Sequence, residues 1–454
     1  MSVFAPGVRV HIVGVGGAGM SGVARLLAEM GCVVSGSDER TSSDLDALRA
    51  SSIDVAVGHD ERNGASATVV TWSPAVSADN VELVAARQRH ANVLSRSELL
   101  AVLTSLQPTI GLTGTHGKTT ASSMMVNVLA AANRDDSRLL GAPVLGVGAN
   151  GHWGGPSLVL EVDESYGTFA LLGTYALGVL NVEPDHLDFY GSLGALETAF
   201  VELVERTSGP VVLWDGDDGA RRVGERAARP VTTVSRRGDS TWTVGEVVLT
   251  RSGSTFTVQR GTERFPLVLQ VIGEHNVADA AVVAVLAIEL GIDTQAIGEG
   301  LARFAGAPRR FQHRGTWRGI DVYEDYAHLP GEIAATLAGA AAAGFLRVTA
   351  VFQPHRVTRT EHLSSAFGEV FDAAAHVIVT DIYDAGEPNP RHLTGEIVAD
   401  AVARRRGPTD TYYAATFVDV VARLESLTTS TDVIVLLGAG DISRVVELLP
   451  GGLD

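Results

Sequence analysis

The sequence predicts an α/β protein of several domains, in which the strands of parallel sheets alternate with helices. At 454 residues the chain is too long for one ordinary hydrophobic core, so roughly two to four domains are expected. Short apolar strands are followed repeatedly by a glycine turn and a helix, which is the pattern of parallel α/β sheets. Polar and charged residues gather directly after several of these strands, where such sheets bind their ligands.

The composition argues against several classes of protein. A net charge of -18 does not fit a nucleic-acid surface, which needs clustered Lys and Arg side chains. The single cysteine, Cys32, rules out an intrachain disulfide and suits a reducing compartment. The first residues lack the pattern of a signal peptide, and no run of about 18 apolar residues could cross a bilayer. We therefore expect a soluble cytosolic protein without membrane insertion.

The strongest motif is a glycine-rich turn between an apolar strand that starts at Thr109 and a helix that starts near Lys118. Such a turn points backbone N–H groups at a phosphate chain, and the helix N-terminus favours the negative charge. Lys118 would reach the β and γ phosphates, and the Thr119 hydroxyl would bind magnesium. Leu112 stands where the usual pattern has glycine, so we interpret the motif as a variant phosphate loop rather than an incidental glycine turn. The residues expected to contact the nucleotide here are Gly114, Thr115, His116, Gly117, Lys118, Thr119 and Thr120.

A second glycine turn lies near the start of the chain. Residues 14–19 read G-x-G-x-x-G between a predicted strand (8–13) and a predicted helix (21–30), and the next strand ends at Asp38. This fingerprint places a pyrophosphate on the helix N-terminus and a ribose hydroxyl on the acid. Nicotinamide dinucleotides and UDP-sugars both fit, and a turn that only allows close packing is a further alternative. The residues predicted to bind the ligand are Gly16, Gly17, Ala18, Gly19, Met20 and Asp38. Residues 72–75, which follow another predicted strand at the same edge of the sheet, are a weaker candidate.

Acidic residues and a histidine follow two strands of the middle third. Glu161, Asp163 and Glu164 follow the predicted strand 157–160, and His186 follows the predicted strand 177–182. Groups at adjacent strand ends converge on the same ligand, and carboxylates with a neutral imidazole can hold magnesium. Which of the three acids points inward stays open, as does the alternative that all are solvated loop residues. Short alternating segments between residues 231 and 271 predict antiparallel strands appended to the sheet.

Two pairs of polar residues in the last third are further candidates for ligand binding. His275 and Asn276 precede a predicted helix (277–290) and suit either a nucleotide contact or a plain helix cap. A new β/α series begins near residue 309. Arg356 and Arg359 follow its second strand, and they would share one carboxylate if the next helix starts at Thr358. Solvated arginines are the alternative, and the glycine-rich end of the last strand is interpreted as packing and capping.

Taken together and in order, these motifs resemble the Mur ligase family over essentially the whole chain. The matching segments are GVGGAGMSG (14–22), GTHGKTT (114–120), EVDES (161–165), NVEPDHLDFYG (181–191), GEHN (273–276), PRRF (308–311), EDYAH (324–328) and FQPHRVTRT (352–360). The resemblance implies three domains: a Rossmann-like UDP-sugar domain (1–106), a central P-loop ATPase domain with appended strands (107–307) and a Rossmann-like amino-acid domain (308–454).

The resemblance also implies an activity and roles for individual residues. ATP would drive the joining of L-alanine to UDP-N-acetylmuramate through an acyl phosphate, a step of peptidoglycan precursor synthesis, with two magnesium ions expected. Lys118 would bind phosphate, while Thr119, Glu161 and His186 would hold magnesium. Nucleotide and substrate contacts are implied for His275, Asn276, one of Arg309 and Arg310, and Asp325. The incoming amino acid is implied to contact Tyr326, His328, His355, Arg356 and Arg359, with His328 as an attractive general base.

Three departures from the family pattern motivate an alternative. Leu329, Gly331 and Asp279 stand where the family has a histidine, a threonine and an asparagine. A paralogous ligase with a different acid or amine substrate is therefore the nearest rival. A nicotinamide-dependent oxidoreductase and a nucleotide sensor without turnover are more distant ones.

Overall fold

The computed structural model describes residues 3–407 and 409–454, without the side chains of Ala18, Tyr166, Asp188 and Ser430. Its backbone contacts divide it into two compact units. The first contains the chain up to Glu246 together with Phe256–Val268 and Ala278–Ala305, and the second contains Val247–Thr255, Leu269–Val277 and Gly306–Asp454. None of the described helices combines the length and the apolar character that crossing a bilayer requires.

The first part of unit one is a five-stranded parallel sheet with helices. Its strands are β1 (Arg9–Val13), β2 (Val33–Asp38), β3 (Asp54–Val57), β4 (Val69–Trp72) and β5 (Asn92–Ser95), and its helices are α1 (Ala18–Glu29), α2 (Ser43–Ala50), α3 (Val81–Gln88) and α4 (Arg96–Leu106). The order β3-β2-β1-β4-β5 reverses direction between β1 and β4, which is where doubly wound sheets bind ligands. The predicted start of α1 at residue 21 was wrong. The helix begins at Ala18, because the extended Gly17 serves as its N-cap.

The remainder of the chain up to residue 305 builds a ten-stranded sheet. Its strands are β6 (Thr109–Thr113), β7 (Ser137–Leu139), β8 (Gly151–His152), β9 (Leu158–Val162), β10 (Ala176–Val179), β11 (Val211–Trp214), β12 (Thr232–Ser235), β13 (Trp242–Thr250), β14 (Gly253–Arg260) and β15 (Glu263–Leu269). Its helices are α5 (Lys118–Ala131), α6 (Leu187–Tyr190), α7 (Leu193–Arg206), α8 (Asp218–Arg226), α9 (Glu274–Glu289) and α10 (Thr294–Arg303), with a 3₁₀ segment at Ser165–Leu171.

The order of this sheet is β15-β14-β13-β12-β11-β10-β6-β9-β7-β8. β6 lies between β9 and β10 in parallel register, so the phosphate loop after β6 is flanked by the ends of both strands. Two-residue connections join β13, β14 and β15, which only antiparallel hairpins allow, as the alternating segments predict. The predicted strand 177–182 was too long, since β10 ends at Val179.

The phosphate-loop helix α5 is buried from Thr120 to Leu129. A side-chain carbon built on Gly300 of α10 would lie 2.4 Å from Val128 Cα, so only glycine lets the two helices approach this closely. A helix that is buried on all sides gives the phosphate loop a rigid support.

Unit two is built around a six-stranded sheet. Its strands are β16 (Gln312–Trp317), β17 (Ile320–Asp325), β18 (Val348–Phe352), β19 (His376–Val379), β20 (Thr411–Tyr413) and β21 (Val433–Leu437). Its helices are α11 (Pro330–Ala342), α12 (Val357–Phe367), α13 (Glu396–Arg406), α14 (Phe417–Leu427) and α15 (Arg444–Leu448). The order is β16-β17-β21-β18-β19-β20, and within this sheet β16 pairs antiparallel while the other described pairings are parallel. Two apolar clusters, one around Phe352 and one around Trp317, form the core.

Two helix starts in the last third differ from the predictions. α9 begins at Glu274 rather than 277, so His275 and Asn276 lie in its first turn. α12 begins at Val357 rather than Thr358, because Arg356 adopts a φ of 69° and turns the chain directly before the helix. Glycine accepts such a φ readily, and an arginine there is a local strain.

Candidate active site

The phosphate loop is held by the segment that follows β10. The side-chain oxygen of Asn181 accepts the His116 N–H at 2.7 Å, and the Asn181 amide donates to the His116 carbonyl at 3.1 Å. Thr115 and Glu183 exchange two further hydrogen bonds, at 2.9 and 3.2 Å. Gly117 has a φ of 82° and caps α5 without a side chain. The loop is therefore preformed, with the N-terminus of α5 available for a phosphate.

Lys118 is the only lysine in the sequence. Its ammonium donates to the carbonyls of Gly114 and Thr115 at 2.7 and 3.1 Å, and to Glu164 Oε2 at 2.8 Å. Burial opposes the charge, but the carboxylates of Glu164 and Asp163 raise the pKa of Lys118 above its ordinary value. The ammonium is thus charged at the loop. A bound phosphate could replace Glu164 as its ion-pair partner.

The predicted metal ligands form two groups. The Thr119 hydroxyl donates to both Glu161 oxygens, at 2.9 and 3.0 Å, and the Gly141 N–H donates to Glu161 at 2.7 Å. Ligand atoms of Asp163, Glu164 and His186 lie within 4.8 Å of one another. Sequence reasoning left open which acid faces inward. The structure orients Glu161 toward Thr119 and Glu164 toward Lys118, and His186 gathers with Asp163 and Glu164. Carboxylate, hydroxyl and imidazole donors fit magnesium.

The N-terminal glycine turn is held by the end of β2. The N–H groups of Gly14 and Val15 donate to the Ser37 carbonyl at 2.8 and 3.0 Å, and that of Gly16 donates to Asp38 Oδ2 at 2.9 Å. Asp38, the predicted ribose ligand, therefore lies directly against the turn.

The predicted diphosphate ligands differ in how they are placed. Helix α1 has no capping side chain, so the turn residues Gly17 and Gly19 leave its N-terminus open to an anion. Met20 is 2% exposed and packs into the hydrophobic core, so its side chain does not reach that face. The side chain of Ala18 lies outside the described residues.

In unit two the structure separates the two candidate arginines. Arg309 donates to Glu324 Oε1 at 2.7 Å and to the carbonyls of Gly438 and Gly440 at 2.7 and 2.9 Å. These bonds tie the end of β21 to β17, so Arg309 stabilises the fold, in agreement with the predicted packing role of residues 438–441. Both guanidinium groups lie over the Tyr326 ring, at 5.1 and 5.3 Å, but Arg310 has no comparable set of hydrogen bonds among the described residues and only faces Glu332, 3.7 Å away. Arg310 is therefore the member of the pair suited to bind a nucleotide.

We expect opposite effects from replacing these two neighbours. Arg309→Ala should lower the free energy of unfolding by about 2 kcal/mol or more, because the buried Glu324 loses a partner. Arg310→Ala should leave stability nearly unchanged and raise the KM for ATP about tenfold. Denaturant unfolding and ATP-dependent kinetics measure the two effects. Arg391→Ala, an exposed arginine paired with Glu361, is the control and should change neither. The reverse pattern would contradict the assignment.

Asp325 is a buried carboxyl group close to Arg310. Asp325 accepts the N–H groups of Phe311 and Ala327, both at 2.7 Å. Burial raises the pKa of Asp325 to about 6, although Arg310 opposes the rise. His275, at the start of α9, has an exposed side chain near Arg310. The Asn276 amide donates to the Ile272 carbonyl at 2.7 Å, so this side chain also stabilises the start of α9.

The raised pKa of Asp325 predicts a pH-dependent contribution to stability. Because the folded value of about 6 exceeds the ordinary 3.8, the contribution is full below about pH 4 and is lost as the pH rises through 6. Unfolding of the native protein and of Asp325→Asn should be compared between pH 4 and 8. The difference between their unfolding free energies should fall with rising pH and level off above about 7. A difference that is independent of pH would contradict the burial of this carboxyl.

The predicted amino-acid residues gather at the ends of β17 and β18. His328 lies 5.3 Å from the Tyr326 ring and 5.7 Å from the His355 ring, and Arg359 contacts His355 Nδ1 at 3.3 Å. Burial is the main reason that the pKa of His328 is lowered and that of His355 falls to about 4, so both imidazoles are neutral at pH 7.

Arg356 differs from the prediction that both arginines share one carboxylate. Its Nε donates to Glu387 Oε1 at 2.6 Å, while Arg359 faces His355. The strained backbone of Arg356 turns its side chain toward the loop after β19. Sequence reasoning missed Glu387, although an acid in the loop that follows a strand was a usable signal.

The departure Asp279 lies in unit one, against the phosphate loop. A side-chain carbon built on Gly117 would lie 2.6 Å from Asp279 Oδ2. Only glycine, with its φ of 82°, fits between this carboxylate and the start of α5.

A phosphate loop with a partly buried lysine, flanked by acids at neighbouring strand ends, defines the chain as an α/β protein of the P-loop nucleotide-binding class. Family comparisons match "Mur ligase family, catalytic domain" over residues 9–107, "Mur ligase middle domain" over 112–287 and "Mur ligase, glutamate ligase domain" over 309–440. The chain belongs to the Mur ligase family, and its fold is the three-domain α/β architecture of that family.

Individual relatives extend over nearly the full length. The UDP-N-acetylmuramate--L-alanine ligase of Kineococcus radiotolerans is 42% identical over 452 residues, covering 96% of this chain and 94% of that protein. The enzyme of the same name from Brucella anthropi is 36% identical over 457 residues, covering 97% and 96%. Among solved structures, the UDP-N-acetylmuramate-alanine ligase MurC of Thermotoga maritima aligns with a TM-score of 0.81 at 29% identity, covering 97% of this chain and 98% of that one.

Proposed function

We propose that this protein is an ATP-dependent ligase that joins L-alanine to the lactyl carboxylate of UDP-N-acetylmuramate, releasing ADP and phosphate. The observation that carries the proposal is the 42% identity to the Kineococcus radiotolerans ligase over nearly the whole chain. The preformed phosphate loop, the acids beside it and the histidine-arginine cluster of unit two support it. The reaction is a step of peptidoglycan precursor synthesis, which we assign to the cytoplasm. The proposed domains are 1–106, 107–307 and 308–454.

Lys118 and the turn before it would position the β and γ phosphates of ATP. The lactyl carboxylate attacks the γ phosphorus, a new O–P bond forms, and the bond to the β-phosphate oxygen breaks to release ADP. Lys118 stabilises the negative charge on the transferring group, because its ammonium is preorganised at the loop. We place one magnesium ion at Thr119 and Glu161 and a second at Asp163, Glu164 and His186. Bound magnesium supplies further neutralisation of phosphate charge.

The second step is capture of the acyl phosphate by the amine of alanine. The nitrogen attacks the acyl carbon, the C–N bond forms, and the bond to the phosphate oxygen breaks to release inorganic phosphate. Arg359 would hold the alanine carboxylate. Arg356 would join it once its guanidinium leaves Glu387 and binds the substrate instead. His328 is suited to take the proton that the amine loses, because its imidazole is neutral at pH 7.

The test is a panel of amino acids with ATP, magnesium and UDP-N-acetylmuramate, scored by phosphate release and product mass. L-alanine should give one phosphate per new amide. Preference for another amino acid would favour the rival ligase that Leu329, Gly331 and Asp279 motivated. That rival is not favoured, because relatives at 36–42% identity carry the alanine-ligase name.

A further inference from the structure

Arg96 is a charged residue at the carboxyl edge of the N-terminal sheet, and none of the sequence motifs includes it. It is the first residue of α4 and follows β5 directly, so it lies at the carboxyl edge of the five-stranded sheet. Ser95 and Glu98 form a capping box around this helix start, which fixes the backbone of Arg96. The arginine therefore has a defined position next to the strand ends where this sheet would bind a ligand.

The guanidinium of Arg96 lacks hydrogen-bond partners within the described part of the protein. Its side chain is only 20% exposed, and its closest carboxylate is Asp163 Oδ2, at 3.9 Å from Nη1. That distance is too long for a hydrogen bond. A guanidinium carries five N–H donors, so Arg96 has donors to offer an anion, although Asp163 partly balances its charge. Arg309, which is similarly buried, donates to one carboxylate and two carbonyls. Arg96 thus differs from Arg309 in that its N–H groups are not engaged by carboxylate or carbonyl acceptors of the described residues, which leaves them available to an anion.

The open side of Arg96 faces the N-terminal glycine turn. A side-chain carbon built on Gly19 would lie 3.5 Å from Arg96 Nη2 and 3.8 Å from Nε, so the guanidinium lies directly beside the first turn of α1. That turn has no capping side chain and no acidic residue to occupy its N–H groups. An anion at the start of α1 would thus lie between backbone donors on one side and Arg96 on the other.

A cavity of about 470 Å³ adjoins this position. Trp72 and Pro74 line it at the end of β4, Ser97 lines it on α4, and Gly167 lines it on the 3₁₀ segment after the acids. Residues 72–75, which the sequence suggested as a weaker candidate for binding the ligand, contribute Trp72 and Pro74 to the same cavity as Arg96. The cavity has room for the groups that follow a diphosphate toward the phosphate-loop acids.

We propose that Arg96 binds the diphosphate of the sugar nucleotide together with the N–H groups at the start of α1. This inference rests on the proposed function, since it takes a nucleoside-diphosphate sugar as the ligand. The planar fork of an arginine matches two phosphate oxygens, whereas a lysine supplies only a point charge. Arg96 thereby adds side-chain recognition to a turn that otherwise offers only backbone donors.

The test measures binding of UDP and of uridine by calorimetry to the full-length protein and to two variants. Arg96→Met keeps the aliphatic stem and removes the charge, and Arg96→Lys keeps the charge without the fork. We expect Arg96→Met to weaken UDP binding about tenfold or more and to leave uridine binding unchanged, with Arg96→Lys in between. Arg49→Met, which removes an exposed arginine of α2 paired with Asp46, is the control and should bind UDP as the native protein does.

The outcomes separate this inference from the proposed function. If the native protein binds no UDP, both fail. If it binds UDP and Arg96→Met binds it equally well, only the inference on Arg96 fails. A variant that retains UDP affinity but loses affinity for UDP-N-acetylmuramate would assign the arginine to the lactyl carboxylate and overturn the diphosphate role. Unfolding curves of Arg96→Met that match the native protein exclude a general loss of structure.

Discussion

Replacing Lys118 with alanine is expected to lower the rate of ATP-dependent amide formation by about 10³-fold or more. The ammonium is held at the phosphate loop by the Gly114 and Thr115 carbonyls, so its charge needs no reorganisation when a phosphate binds. Its removal also leaves the buried Glu164 carboxylate without its cation, beside the site of a phosphate. Charge repulsion then adds to the loss of stabilisation in the transition state.

The measurement is single-turnover phosphate release with saturating substrates. The double variant Lys118→Ala and Glu164→Gln is compared with Glu164→Gln alone, because Glu164 is also a proposed magnesium ligand, and the double variant should be the slower of the two. Near-native turnover of Lys118→Ala, or a double variant as fast as Glu164→Gln, would remove Lys118 from the mechanism.

Glu161→Gln is expected to reduce turnover about 10²- to 10³-fold and to raise the magnesium concentration needed for half-maximal rate. The glutamine keeps the shape of the side chain but loses the charge that a divalent cation requires. It also leaves the Thr119 hydroxyl and the Gly141 N–H with an acceptor, so the fold should persist. Rates measured over a magnesium titration separate a binding defect from a catalytic one. A magnesium dependence equal to that of the native protein would exclude Glu161 as a ligand.

Glu202→Gln is the matched control for this substitution. Glu202 lies on α7 with 60% of its side chain exposed and pairs only loosely with Arg206, at 3.9 Å. The variant should show native rates and a native magnesium dependence, because an exposed ion pair of this kind contributes little.

Much of the fold was predictable because local signals and tertiary structure agree. The strand, glycine turn and helix around Lys118 lie where the motif indicates, and α5 is buried as its apolar residues require. The appended strands β13 to β15 follow from their alternating pattern. Most errors lie at element ends, although β12, inside the region predicted to be antiparallel, pairs parallel with β11 and β13. α1 and α12 begin earlier than predicted, because the backbone conformations of Gly17 and Arg356, rather than side-chain patterns, set their first residues.

The sequence could not predict which side chains of the candidate site form hydrogen bonds or ion pairs with one another, because these contacts join segments that are distant along the chain. Arg309 and Arg310 are adjacent and chemically identical, yet carbonyls some 130 residues away hold only the first. The partner of Arg356 is Glu387, which lies beyond an intervening strand. Arg96 belongs to no recognisable motif. Its proposed role in binding becomes visible only when its partial burial and its proximity to Gly19 are known.

The most direct test of the account follows one oxygen atom through the reaction. UDP-N-acetylmuramate labelled with ¹⁸O in its lactyl carboxylate is converted with ATP, magnesium and L-alanine, and the inorganic phosphate is analysed by mass. Phosphorylation of the carboxylate predicts that one labelled oxygen appears in the phosphate for each amide formed. Label found in AMP, or amide formed with unlabelled phosphate, would contradict the acyl-phosphate mechanism assigned to this protein.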